Sequence, residues 1–160
     1  MGVEQILLLG DERLYQKSEN LVQEEIPLIN EIIENLHDAM MDFRRIYSVG
    51  RAIAAPQIGV FKRLIYMHID QPVVFINPSI QAIGNEIIEI WDDCMCFPNL
   101  LVKVKRHKQI NVTYHDIDYK EQQITFSDDL SELIQHEYDH LDGILAIQRA
   151  INDKSFRWRK

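Results

Sequence analysis

The chain has 160 residues, 46% hydrophobic and 26% charged, which suits a single globular domain over residues 1–160 and leaves too little length to expect two. A net charge of −8 argues against general nucleic-acid binding, specific DNA contacts included, and against acidic membrane surfaces. No apolar run approaches the roughly 18 residues that span a bilayer, and two cysteines, Cys94 and Cys96, make no disulfide framework.

The opening MGVEQILLLGDERL has no basic leader and no small-residue cleavage site, and Ile6 stands where a myristoylation signal needs Ser or Thr. A cytoplasmic protein is expected. Residues 27–45 place Leu28, Ile29, Ile32, Ile33, Leu36, Met40 and Phe43 at helical spacing, and Pro27 opens that helix where its missing N–H does no harm. Five segments then read as strands, rich in β-branched and aromatic residues: 63–69, 73–80, 86–91, 100–107 and 109–117. The period changes at Ser127-Asp128-Asp129, an N-cap with an acidic first turn, and Gly143 stops the helix that follows. The fold class expected is α+β: mainly antiparallel strands packed around a C-terminal helix, with an N-terminal amphipathic helix.

That C-terminal helix ends in HEYDH, residues 136–140. At i and i+4, His136 and His140 project from one face and can reach a single ion, while Glu137 can serve as general base for bound water. A catalytic centre of this kind needs a third protein ligand and an open position. A thermolysin-like site takes a downstream carboxylate, but only Asp142 and Asp153 follow, neither on a convincing helix. The metzincin pattern fails as well, because Ala146 occupies its third ligand position. A metalloprotease is therefore disfavoured, and the remaining candidates are upstream, Cys94 and Cys96.

GRAIAAPQ (50–57), DDCMCFP (92–98) and HEYDHLDG (136–143) resemble the three motifs of peptide deformylases, GxGLAAPQ, EGCLSxP and HExDH, in order and approximate separation. The resemblance runs over about residues 5–150. It implies removal of the N-formyl group from the initiator methionine of newly made polypeptides, with the nascent chain as partner and the ribosome nearby. It also implies one divalent metal ion, Fe2+ first and Zn2+, Ni2+ or Co2+ compatible with the donors. By resemblance the ligands are Cys94, His136 and His140, and Cys96 is a small buried residue where the family usually has Ser. Glu137 is the general base, and the side-chain amide of Gln57 and the backbone N–H of Met95 are the oxyanion donors. The strand near Gly50, Arg51, Ala52 and Ile53 would pair with the substrate main chain, and Ile90 and Leu133 sit where the family lines its methionine pocket.

Several positions depart from the family pattern. Ala52 replaces the second Gly, Arg51 and Glu132 fill slots that are usually apolar, Asp92 replaces Glu, Asp93 replaces Gly, and Leu101 stands where an Arg is common. Arg51 and Glu132 are expected to point to solvent rather than pair across the pocket. These changes suggest an active deformylase with altered peptide preference; the alternative is a deformylase-like domain that binds peptide without turnover. The closing KSFRWRK has four basic residues in seven and reads as a solvated tail, with ribosomal RNA phosphates as the competing partner.

Overall fold

The computed structural model describes residues 2–160. Its elements in chain order are α1 (Ile29–Tyr47), β1 (Ala52–Ala54), β2 (Leu64–His68), β3 (Pro72–Ala82), β4 (Ile87–Asp92), β5 (Leu100–His107), β6 (Gln109–His115), β7 (Glu121–Ser127), α2 (Asp128–Leu141) and β8 (Phe156–Trp158). They form a five-stranded sheet in the order β1-β2-β3-β6-β7 and a three-stranded sheet in the order β4-β5-β8. Every pairing in both is antiparallel. The α+β expectation holds.

The larger sheet is buried on both faces near its β1 edge. Ile53, Leu64 and Tyr66 turn toward Leu36, Met40 and Phe43 of α1, whereas Ala52, Ala54, Ile65 and Met67 fall in the cluster with Ile134 and Leu141 of α2. This is the two-residue period of a strand, with both sets apolar because a helix covers each side. It explains why LIYMH reads as a continuous apolar run. Helix α2 in turn packs against β1, β5 and β7, so its HEYDH segment is held between the two sheets.

Two sequence expectations need correcting and two readings need completing. Pro27 lies in a 3-10 turn, Gln23–Leu28, and α1 starts at Ile29 and runs on to Tyr47, where Ser48 (φ +61°) closes it by donating its N–H to the Arg44 carbonyl. Ser127 stands at the N-cap of α2 but its side chain makes no cap bond; the turn is made by Asp128 (φ +56°), whose N–H goes to the Lys108 carbonyl. Strand β7 escapes a reading by hydrophobicity because only Ile124 and Phe126 of its seven residues are withdrawn from solvent. The basic tail is solvent-exposed as expected, but it is not free. Its Phe156–Trp158 pairs with Leu100–Val102, and Arg157 lies 4.2 Å over the Trp91 ring. Arg159 bonds the Pro98 carbonyl and Asp93.

Gly143 does end α2, and nothing else fits there. Its φ is +71°, and a Cβ would overlap the Tyr15 carbonyl. Gly143→Ala is expected to lower stability by more than about 1 kcal/mol in urea unfolding. Gly84→Ala, at a similar φ of +73° with nothing near its Cβ, isolates the dihedral part of that cost and should lose less.

Candidate metal centre

His136 and His140 follow the helical i, i+4 spacing to one face of α2, and β4 delivers Cys94 from the turn after Asp92. Donor atoms of Cys94, His136 and His140 all lie within 4.8 Å of one another, and all three residues are buried. Cys94 Sγ is 3.4 Å from His140 Nε2. His136 Nδ1 is 2.8 Å from Asp92 Oδ2, and a carboxylate can only accept, so the imidazole donates there and turns Nε2 toward the site. One thiolate and two imidazoles at this separation suit a divalent d-block ion, and the residues present therefore fit the metal that the motifs imply.

Cys96 is outside that group. It is buried, and Gln57 Nε2 reaches its Sγ at 3.6 Å and that of Cys94 at 3.8 Å. Gln57 is aimed by its own backbone: it sits on the 3-10 turn Ala55–Ile58 directly after β1, and its Oε1 accepts the Ala54 N–H at 2.8 Å. The amide end must then face the sulfurs. Cys94 Sγ also faces the Cys96 N–H at 3.4 Å, a donor that favours a thiolate.

Glu137 lies with Oε1 4.0 Å from His136 Nε2, and its Oε2 is buried without a partner. Burial pushes this carboxyl up to about 7, with His136 pulling the other way. Burial also depresses His140 well below the usual histidine range and raises the Cys94 thiol, the latter helped by Cys96. For His136, burial is outweighed by the Asp92 carboxylate, which takes the imidazole up to about 10. Binding a divalent ion therefore releases protons from Cys94 and His136.

The cavity beside these groups is about 170 Å³. Gly50, Arg51, Ala52, Met95, Leu133 and Glu137 line it. Ile53 and Ile90 do not: Ile53 is fully buried on the α1 side of the sheet, and Ile90 packs against that same core. Arg51 leans outward, half-exposed, to Asp129 at 3.0 Å. Glu132 does not reach solvent as expected. One turn before His136 on the same helix face, it is 5% exposed, lies on the cavity wall and hydrogen-bonds Asp92. Burial and Asp92 push its carboxyl up to about 9, so the two acids share one charge. Asp92, Glu132 and His136 also lie within 4.8 Å of one another, but the Arg106 guanidinium already occupies the cation's place beside Asp92. They support the first ligand rather than form a second centre.

That support was missed in the sequence. Arg106 on β5 donates to Asp92 at 3.2 Å and to Asp139 at 2.6 Å, and Arg149 clamps Asp139 through two 3.0 Å bonds. Gln135 adds a backbone-like pair to β5, accepting the His107 N–H at 3.0 Å and donating to the His107 carbonyl at 2.9 Å. One signal was available: Val102, Val104 and Arg106 share the inward parity of β5, and a charge at an inward position demands partners.

A buried cysteine and two helix histidines with a carboxyl beside them are the site of a metal-dependent hydrolase. The model of the family described as Polypeptide deformylase matches residues 3–156. The chain is 36% identical over 154 residues to a peptide deformylase of Picosynechococcus sp., covering 91% of this chain and 78% of that one. It is 35% identical over 159 residues to a peptide deformylase of Pseudothermotoga lettingae, covering 99% and 89%. Among solved structures, a peptide deformylase of Synechococcus elongatus in complex with actinonin superposes with a TM-score of 0.84 at 29% identity, over 92% of this chain and 79% of that one. The chain belongs to the polypeptide deformylase family.

Removing Arg106 would leave Asp92 and Asp139 buried without their shared cation. Arg106→Leu is expected to cost roughly 3–5 kcal/mol in urea unfolding and to weaken metal binding on the order of 10–100-fold in a competitive chelator titration. Arg149→Ala, whose side chain is 46% exposed, should cost under about 1 kcal/mol.

Proposed function

We propose that this deformylase removes the N-formyl group from the N-terminal methionine of newly made polypeptides, with Cys94, His136 and His140 holding one divalent ion, Fe2+ ahead of Zn2+, Ni2+ and Co2+. The observation that carries the reading is Glu137 Oε2, buried and unpartnered, on a residue that lines the same cavity as Cys94 and His136. When bound, the ion acidifies a water and polarises the carbonyl it contacts.

The chain's own groups supply the rest. Glu137 Oε2 takes the proton of the attacking water and returns it to the leaving amine, and a carboxyl pushed up to about 7 suits both transfers near neutral pH. Gln57 Nε2, held by the Ala54 N–H, and the Met95 N–H donate to the developing oxyanion. Among the described residues strand β1 pairs with β2 alone, so its other edge is open to an extended peptide main chain, while the Gly50 and Arg51 carbonyls before it are taken by Arg44 Nε and the His68 N–H. Gly50 (φ +123°) packs so closely on Phe43 and Met95 that a side chain there would crowd the approach. Leu133 touches the first side chain, while Ile90 and Ile53 back the walls.

Nascent chains place the enzyme in the cytoplasm, and no helix among the described residues is long and apolar enough to cross a membrane. Ribosome contact, if made by the C-terminal basic residues, falls to Lys154 and Lys160, because Arg157 and Arg159 are engaged with Trp91 and Asp93. The competing reading, a peptide-binding domain without turnover, draws on Arg51, Ala52 and Glu132 at the cavity.

Anaerobically purified, iron-loaded protein should release formate from a short formyl-Met peptide. Glu137→Ala should slow this by roughly 10²–10⁴-fold while one metal stays bound per chain. Equal rates in the two proteins would remove Glu137 from its role, and tight peptide binding without formate would favour the binding domain. Chelation should abolish formate release, and added Fe2+ should restore it.

A further inference from the structure

The cavity beside the ligands has one wall that an apolar side chain cannot satisfy. Glu132 stands on it, 5% exposed, with Arg51 and Leu133 in the same lining. Its carboxyl hydrogen-bonds Asp92, whose Oδ2 already accepts from His136 and Arg106. Arg51 cannot neutralise Glu132, because its guanidinium is drawn outward to Asp129 at 3.0 Å. At about 170 Å³ the space is far larger than one water's share of liquid, about 30 Å³. A side chain of methionine's length entering it would meet the Glu132 carboxyl and shut it off from solvent. A carboxyl keeps an oxygen that accepts a hydrogen bond whether or not it carries a proton. The entering side chain must therefore donate a hydrogen bond to that oxygen or leave it unpaired.

We infer that Glu132 determines first-residue specificity, selecting side chains that end in a hydrogen-bond donor. Formyl peptides that begin with an amide-tipped residue are then hydrolysed at least as well as those that begin with an unbranched apolar one. This rests on the deformylase reading and changes what it accepts. Discrimination built on a buried polar group is sharper than discrimination by one methylene, so a single wall residue is enough to move the preference.

The test uses metal-loaded protein and three formyl tripeptides that differ only in the first residue: Gln, Met or norleucine. Wild type is expected to give kcat/KM for the Gln peptide equal to or above that for norleucine. Glu132→Leu should turn the ratio toward norleucine by about tenfold or more, mainly through KM, and Glu132→Gln, which keeps an acceptor, should hold it within about threefold. Calorimetric binding of the deformylated tripeptides to wild type should follow the same order. A wild-type preference for norleucine of about tenfold or more, left in place by Glu132→Leu, would overturn the inference and spare the deformylase reading. No formate from any of the three would overturn both. Should Glu132→Leu fail to fold or to bind one metal per chain, Glu132→Gln and the wild-type binding series decide the matter.

Discussion

Arg106 puts a full positive charge where almost no water reaches, and the rest of the site is arranged around it. Its guanidinium lies between Asp92 at the end of β4 and Asp139 on α2, with side chains 3%, 3% and 8% exposed. Burial works against the charged guanidinium, and the two carboxylates more than offset it. A buried ion of this kind is weak as a source of stability, since an apolar replacement of the whole group can be neutral. Its value is geometric. With Asp92 held by Arg106, the Nδ1 side of His136 is fixed and its Nε2 is directed at the ligand site. Asp139, three residues on, anchors the next face of the same helix to β5 and to Arg149.

The same arrangement accounts for how Glu132 can be tolerated. Asp92 is one methylene shorter than the Glu of the family motif, yet it still spans to His136 at 2.8 Å. Glu132 brings a second carboxyl from the facing helix, and the two acids share one charge because burial and the nearby Asp92 outweigh the pull of His136 and Arg106. The departures at Asp92 and Glu132 are thus neighbours in space, forty residues apart in sequence. Each looks arbitrary alone. His140 has no comparable support, as its Nδ1 is buried without a partner, so the two histidines are held by different means.

Much of this was legible in the chain. The i, i+4 histidines, the Glu between them and the glycine stop are local patterns, and local patterns survive folding. The three motifs, spread over residues 50–143, brought Gln57 and Cys94 to the same place. What could not be read depends on pairing between distant segments. Arg106 needs β5 in register with β4 before it meets Asp92, and the solvent expectation for Glu132 failed because α2 is covered on that face by the cavity and β4. Strands β1 and β8, three residues each, carry no periodicity to detect; pairing with β2 and β5 is what makes them strands.

The fastening of Phe156–Trp158 onto β5 has an optical consequence. The protein has two tryptophans, and both belong to the small sheet: Trp91 on β4, next to Asp92, and Trp158 on β8. Trp91 is covered by Arg157, whereas Trp158 is largely exposed. Indole emission therefore reports on the small sheet and the chain terminus, while the five-stranded sheet, α1 and α2 are silent in it. Circular dichroism would instead be weighted to the helices and the larger sheet. Coincidence of the two signals through a melt is then a direct reading of whether the metal-bearing helix and the strand behind it come apart as one cooperative unit or as two.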